Sequence, residues 1–366
     1  MAKSRLFEPL KLGNINLENR IVMSPLTRFR ADDEHVPLPF VAEYYAQRAS
    51  VLGTLLITEA TYISPGHGGY PNAPGIYNKL QIEAWKIVTN AVHKKGSFIY
   101  LQLWALGRAA GNKEFAGTEP ITVRSSSAVP LQDDYVIPEP LTIDQIRETV
   151  QEYAQAAKNA IEAGFDGVEI HGANGYLIDQ FIQDTCNKRT DEYGGSAENR
   201  SRFAIEVTQA VVDAVGAERT GIRLSPWSTY QGMRMQNPIP QFTDLITRLD
   251  KFGLAYVHLL ESRISGNAEV ESLDTLDFAF DAYHGPVLVA GGFKPDSARR
   301  LVDEERKERD VAVVFGRYFI STPDLVFRLQ KGIDLNNYDR DTFYKSKSQK
   351  GYTDYPFSSE FLAAQL

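Results

Sequence analysis

The stretch from Thr142 to Tyr176 reads TIDQIRETVQEYAQAAKNAIEAGFDGVEIHGANGY, and it decides the fold. Thr142 and Asp144 are capping residues, and Ile146, Val150, Tyr153, Ala154, Ala157 and Ile161 recur at helical spacing to make one apolar stripe. Gly164 stops the helix. Gly167–Ile170 then follows as a short apolar run without alternation, the pattern of a strand covered on both faces. The spacing predicts a helix over Thr142–Ala163 that leads into a buried parallel strand.

The same unit extends in both directions. Buried strands are expected at Ile21–Ser24, Thr54–Glu59, Phe98–Leu103, Gly167–Ile170, Gly221–Leu224, Tyr256–Leu260, Val287–Ala290 and Val311–Phe315. Besides Thr142–Ala163, helical periods cover Pro39–Ser50, Leu80–Lys94, Ser196–Val215, Gln241–Phe252, Ser272–Tyr283, Pro295–Glu304 and Pro323–Lys331. Strand then helix, eight times, is the count of an α/β (β/α)8 TIM barrel. A doubly wound sheet usually has fewer strands. No Pro/Ser linker divides the chain, so residues 1–366 read as a single barrel domain with an N-terminal hairpin. Ala116–Pro140 is too long for an ordinary loop and reads as a capping excursion after strand three. Glu304–Asp310 reads as a solvated helix end.

Composition narrows the function. The 39 Lys+Arg against 47 Asp+Glu leave a net charge of −8, which argues against nucleic acid or an anionic membrane surface as a partner. The one cysteine, Cys186, excludes an internal disulfide and reads as a small buried residue. The histidines show no metal-binding spacing, so no metal is expected. No apolar run of about 18 residues or signal-like N-terminus occurs, and the expected location is cytoplasmic.

In a barrel of this kind, chemistry sits at the C-terminal ends of the strands. Gly291, Gly292, Gly316 and Arg317 end strands seven and eight. Glycines there let backbone N–H groups approach an anion, and Arg317 adds a guanidinium fork, so the pair of loops suits a phosphate. A tight turn and a surface ion pair are the plainer alternative. His171 and Asn174 lie three apart just past strand four. If a helical turn begins there, they share one side and can donate two hydrogen bonds to one oxygen. Tyr176 is either a general acid or a packed aromatic. Arg223 lies inside an apolar strand and needs an anionic partner, while the Gln102 amide can both donate and accept at a heterocycle edge. Together these residues suit a phosphorylated planar cofactor. Spacing leaves FMN and pyridoxal phosphate open, although no lysine ends a strand to form the Schiff base that pyridoxal phosphate requires.

Ordered motifs go further. They include Asn19–Arg28, Gln102–Arg108, Gly167–Leu177, Asp179-Gln180-Phe181, Arg189–Ser196, Arg223–Pro226, Phe315-Gly316-Arg317 and Asn337–Tyr344. With these, the chain resembles the old yellow enzyme family, FMN-dependent NADPH dehydrogenases and ene-reductases, in its yeast, fungal and plant branch. The resemblance implies noncovalent FMN, with NADPH preferred over NADH as a dissociable co-substrate. It implies ping-pong reduction of the activated C=C bond of α,β-unsaturated carbonyls, imides or nitroalkenes.

It also implies roles for individual residues. Pro25, Thr27 and Ala60 would border the flavin, and Gln102 and Arg223 would bind its pyrimidine edge. Gly291, Gly292, Gly316 and Arg317 would hold the phosphate, with Phe343 and Tyr344 forming a wall. His171 and Asn174 would grip the activating oxygen, and Tyr176 would donate the proton. Trp104 and Tyr230 would line the substrate cavity, and phenols would bind over the flavin as phenolates with a charge-transfer band. Some fungal members are alkaloid-pathway aldehyde reductases or isomerases; the isomerases lack the phenol that Tyr176 supplies here. A phosphate-binding barrel aldolase or isomerase and a non-catalytic flavin binder are the readings outside this chemistry. A monomer or homodimer is expected, and the Glu261–Glu271 loop, which follows no assignable pattern, is expected to help set substrate choice.

Overall fold

The structure is a computed structural model that describes residues 4–111, 121–133, 135–262, 264–265, 268–269 and 274–365. Eight parallel strands close on themselves: β1 (Ile21–Met23), β2 (Leu55–Ile57), β3 (Phe98–Trp104), β4 (Gly167–Gly172), β5 (Thr220–Leu224), β6 (Tyr256–Leu260), β7 (Val287–Ala290) and β8 (Val311–Phe315). β8 pairs with β1 through Val313↔Ile21, and β2 pairs with β3 through Leu55↔Phe98, completing the ring. Every expected strand is present within a residue or two.

The helices between them are α1 (Val41–Arg48), α2 (Lys79–His93), α3 (Ile143–Glu162), α4 (Ala197–Val215), α5 (Pro238–Asp250), α6 (Asp277–Ala282), α7 (Pro295–Arg300) and α8 (Leu325–Lys331). Thr142 caps α3 by accepting from the Gln145 N–H, and the Gln145 side chain returns the bond. Gly164, at φ +86°, turns the chain after it. Three helices differ from expectation at their ends. α6, expected from Ser272, begins only at Asp277, the described residues 274–276 before it being non-helical. α5 begins three residues early because Pro238 is tolerated in a first turn. α7 stops at Arg300 and continues as one wide turn over Leu301–Glu305. Three short helices, Leu177–Ile182, Arg317–Ser321 and Ser359–Ala363, have no counterpart in the helical periods.

Side-chain alternation sorts each strand into an outer and an inner face. Outward residues such as Leu101, Val168, Ile170, Ile222 and Val313 join the large core beneath the helices. Inward residues such as Val22, Leu55, Tyr100, Tyr256, Leu288 and Ala312 fill the barrel with Leu10, Leu12, Ile15 and Leu17. The last four come from an antiparallel hairpin, Leu10–Leu12 with Ile15–Leu17. Its turn residue Gly13 approaches Glu218 so closely that a Cβ would lie 1.9 Å from the Glu218 carbonyl oxygen. Because Glu218 precedes β5, the hairpin plugs the end of the barrel where the strands begin. The other end stays open.

Small and large inward residues interlock. A Cβ on Gly167 would lie 2.4 Å from Tyr100 Cζ and 2.5 Å from the Arg219 carbonyl oxygen. Gly167→Ala is therefore expected to destabilise the protein by roughly 1–3 kcal/mol through overpacking. The measurement is the thermal unfolding midpoint; an unchanged midpoint would show that the Tyr100 ring yields freely.

Of the excursion after β3, residues 116–120 and 134 lie outside the described ones. In the remainder, Arg124–Ser125 pairs with Glu139–Pro140, and the Ser125 hydroxyl donates to Gln180 Oε1 at 2.8 Å. Val123 packs in one cluster with Tyr62 and Trp104, over the open end of the barrel. Cys186 is buried, with its sulfur 3.6 Å from Ser125 Oγ. No described helix is long and apolar enough to cross a membrane.

Candidate active site

The inner face of the barrel turns polar toward the open end. Gln102 on β3, Glu169 and His171 on β4, Arg223 on β5 and His258 on β6 are all buried there. Gln102 stands opposite Glu169, and Arg223 lies between His171 and His258 in register. Such a set is stable only if its members satisfy one another. Gln102 Nε2 donates to Glu169 Oε1 at 2.8 Å, and His258 Nδ1 meets Glu169 Oε2 at 2.8 Å. Glu169, on the neighbouring strand, supplies a negative charge that opposes the lowering of the Arg223 pKa by burial. Sequence reading missed Glu169 and His258. Glu169 shares strand parity with His171, and that is the signal that could have found it.

Above this layer lies a cavity of about 400 Å³. Its lining brings together Pro25 and Thr27 after β1, Ala60 after β2, and Gln102, His171 and Arg223. Asn174, Tyr176 and Tyr230 come from the loops after β4 and β5, and Gly291, Gly292, Gly316 and Arg317 from those after β7 and β8. Phe343 and Tyr344 close the side. The expected lining also gains Ser24, Leu26, Phe293 and Tyr318.

Trp104 does not border this cavity directly. It is buried one layer back, stacked on Tyr62 at 5.0 Å and edge-on to Tyr176 at 5.0 Å. As an inward residue at the end of β3, it is covered by the Tyr62 and Tyr70 rings. Of the Glu261–Glu271 loop, Arg263, Gly266, Asn267, Val270 and Glu271 lie outside the described residues.

No helical turn, the condition under which spacing alone would put the two on one side, begins at His171–Asn174. β4 continues to Gly172, and Asn174 and Gly175 adopt left-handed φ values of +58° and +74°. Asn is among the residues that tolerate this conformation. The turn is pinned from several sides. The Asn174 N–H donates to Ser225 Oγ at 2.7 Å, Gln231 Nε2 donates to the Asn174 carbonyl at 2.9 Å, and the Gly175 N–H donates to Asp179 Oδ2 at 2.8 Å. Burial pushes the Asp179 carboxyl up to about 7 against the pull of the Gln183 amide, the Gly175 N–H and Arg108.

Protonation follows from burial. The His171 imidazole is held well below its ordinary range, first by burial and then by Arg223 and His258, so it is neutral. Its Nδ1 accepts the Ala173 N–H at 3.4 Å, which places the ring proton on Nε2 as a donor. The Tyr176 phenol is pushed well above its ordinary range by burial and by the neighbouring Tyr70, Tyr230 and Tyr344. It keeps its proton and is packed edge-on to His171 at 4.9 Å.

The wall formed by Phe343 and Tyr344 is held from beneath. Arg28 Nε donates to the Phe343 carbonyl at 3.0 Å, and Arg30 donates to the same carbonyl at 2.9 Å and to that of Thr342 at 3.0 Å. The Arg28 and Phe29 N–H groups donate to Glu59 Oε2 at 2.9 and 3.2 Å. Burial raises the Glu59 carboxyl to about 7.

Three features of the cavity fit a flavin nucleotide. Among the described residues, Arg223 Nε and Asn174 Oδ1 are buried without partners, which native proteins seldom leave unexplained. Gly292 adopts φ +68°. A Cβ on Gly316 would make only ordinary contacts, at 3.5 Å to Leu26 and 3.8 Å to Ser24, so packing within the protein does not demand glycine there.

The model of the NADH:flavin oxidoreductase / NADH oxidase family matches residues 5–336. The chain belongs to that family. This flavin oxidoreductase is 59% identical to "Chanoclavine-I aldehyde reductase fgaOx3" of Penicillium roqueforti, over 99% of the chain and 98% of the relative. It is 52% identical to "Probable inactive dehydrogenase easA" of Claviceps purpurea, over 99% and 97%. The crystal structure of Old Yellow Enzyme from Pichia sp. AKU4542 superposes with a TM-score of 0.90 at 40% identity, covering 98% of this chain and 95% of that one. Membership of this flavin-dependent family sets aside the barrel aldolase and isomerase readings.

Proposed function

We propose that this flavin oxidoreductase is an FMN-dependent reductase that uses NADPH to saturate the C=C bond of an α,β-unsaturated carbonyl compound. The supporting observation is the convergence on one cavity of a neutral His171 with Nε2–H, the Asn174 amide and a protonated Tyr176 phenol. Gln102 and Arg223 would hold the pyrimidine edge of FMN, Thr27 and Ala60 its neighbouring edge, and Gly291, Gly292, Gly316 and Arg317 its phosphate. Bound there, FMN would supply the two-electron redox chemistry that links the NADPH and substrate half-reactions.

The protein's own groups do the rest. His171 Nε2–H donates to the activating oxygen. The Asn174 carboxamide, whose oxygen has no partner among the described residues, can turn its N–H end to the same oxygen. As hydride reaches the β-carbon, negative charge grows on that oxygen, and both bonds strengthen toward the transition state. Tyr176 gives its proton to the α-carbon and is reprotonated from solvent.

The relative named as an aldehyde reductase favours an enal as the substrate, its aldehyde oxygen being the group held by His171 and Asn174. An imide or nitroalkene offers an equivalent oxygen. The test uses purified protein, anaerobic NADPH and an enal such as cinnamaldehyde. NADPH is expected to bleach a yellow flavin spectrum, and the enal to restore it with formation of the saturated aldehyde. Allylic alcohol as the product would establish carbonyl reduction instead. A flavin that NADPH leaves oxidised would establish a non-catalytic binder.

A further inference from the structure

One buried charge has no place in the chemistry above. Glu169 touches neither the cavity nor any reacting group, yet its carboxylate sits inside the barrel between two residues that face the cofactor site. A carboxylate can only accept hydrogen bonds, so the Gln102 amide must present Nε2 to it, as the 2.8 Å contact shows. The end of Gln102 left to the cavity is therefore Oε1, an acceptor. The second carboxylate oxygen meets His258 Nδ1 at 2.8 Å, which fixes that ring as the Nδ1–H tautomer. His258 is buried next to Arg223 in register, so it can steady Glu169 without adding a second charge. Among the described residues, Arg223 Nε has no protein partner. Glu169 pairs in register with Gly221, two residues before Arg223 on the same inward face, and its charge opposes the lowering of the Arg223 pKa by burial.

We infer that Glu169 is a positioning residue for the cofactor site: it fixes the acceptor end of Gln102 toward the cavity and balances the charge of Arg223. The inference rests on the reading of this cavity as an FMN site. Its first consequence is selection for a ligand edge that carries an N–H beside Gln102. Its second is a check on how strongly Arg223 attracts negative charge, which sets how much more tightly the reduced, more negative cofactor is held than the oxidised one.

The experiment measures FMN dissociation constants for reconstituted protein and the two-electron midpoint potential of the holoenzyme. In Glu169→Gln, the new amide can donate to Gln102 Oε1, and Gln102 turns its N–H end to the cavity. Oxidised FMN is expected to bind at least about tenfold more weakly, the loss of one buried hydrogen bond. Arg223, without its counter-charge, now favours the reduced form. A tenfold gain of reduced over oxidised binding raises the potential by about 30 mV.

The swap Gln102→Glu with Glu169→Gln restores a carboxylate–amide pair, an acceptor at the cavity and the balancing charge. It is expected to return both quantities to within about threefold of the wild-type affinity ratio, whether or not the single variant folds. A swap that holds FMN as poorly as Gln102→Leu overturns the inference, as does a folded Glu169→Gln protein with unchanged FMN affinity and potential. A wild-type protein that takes up no FMN would instead overturn the cofactor reading beneath it.

Discussion

Replacing His171 and Asn174 together by alanine is expected to weaken the binding of a para-substituted phenol by about 10²- to 10⁴-fold. A phenolate oxygen lying over the flavin has the position and charge of the oxygen that these two residues would hold during reduction. Each charge-assisted hydrogen bond lost is worth roughly 1.5–3 kcal/mol, or about 10- to 100-fold. The two losses approach additivity only if the residues act as separate donors. The structure favours that, because their backbones are fixed by different partners: Asn174 by Ser225 and Gln231, and His171 by strand pairing with Arg223. The measurement is titration of the long-wavelength charge-transfer band. An unchanged titration would remove both residues from the oxygen site. Intact binding with a lost band would mean that the phenol had moved off the flavin.

The strands of this protein were legible because a barrel covered on both faces needs nearly continuous apolar runs, and these are short and bounded by turn residues. What those runs hide is parity. Glu169 sits in one apolar run and His258 in another. Parity with His171 places Glu169 on the inner face only once His171 is known to point inward, and the strand of His258 offers no such reference. Closure of the barrel settles it, since inward positions of neighbouring strands come into register and Gln102, Glu169, Arg223 and His258 become one group. Parity also explains the displacement of Trp104. It follows Gln102 by two residues on the inner face, and the aromatic rings of Tyr62 and Tyr70 cover it.

The remaining part of the site was legible only through resemblance. Phe343 and Tyr344 lie on irregular chain, and their wall depends on Arg28 and Arg30, which are 315 and 313 residues away from Phe343. A buried arginine satisfied by distant backbone carbonyls leaves no local pattern. The left-handed turn at Asn174 is intermediate: the Asn-Gly pair signals a turn, but its direction depends on Ser225, Gln231 and Asp179.

Tyr176→Phe is expected to separate the two half-reactions. Hydride transfer from NADPH needs no proton from Tyr176, so flavin reduction should proceed at close to the wild-type rate. Reduction of an enone or enal requires a proton at the α-carbon, and a positioned general acid contributes roughly 10²- to 10⁴-fold. The phenol is in the right form for that step, since burial and the tyrosines around it keep its proton in place. Phenylalanine preserves the ring that packs edge-on to Trp104 and His171, so the change removes the proton and little else. Reoxidation by cyclohexenone should therefore slow by that factor, while quinones and oxygen, which need no proton on carbon, reoxidise the variant normally. Nitroalkenes should be slowed less than enones, because a nitronate can leave and take its proton from water. Stopped-flow traces of the flavin absorbance distinguish the outcomes. Unimpaired reoxidation by the enone would exclude Tyr176 as the donor, and equal slowing with every oxidant would make it a packing residue whose loss disturbs the whole cavity.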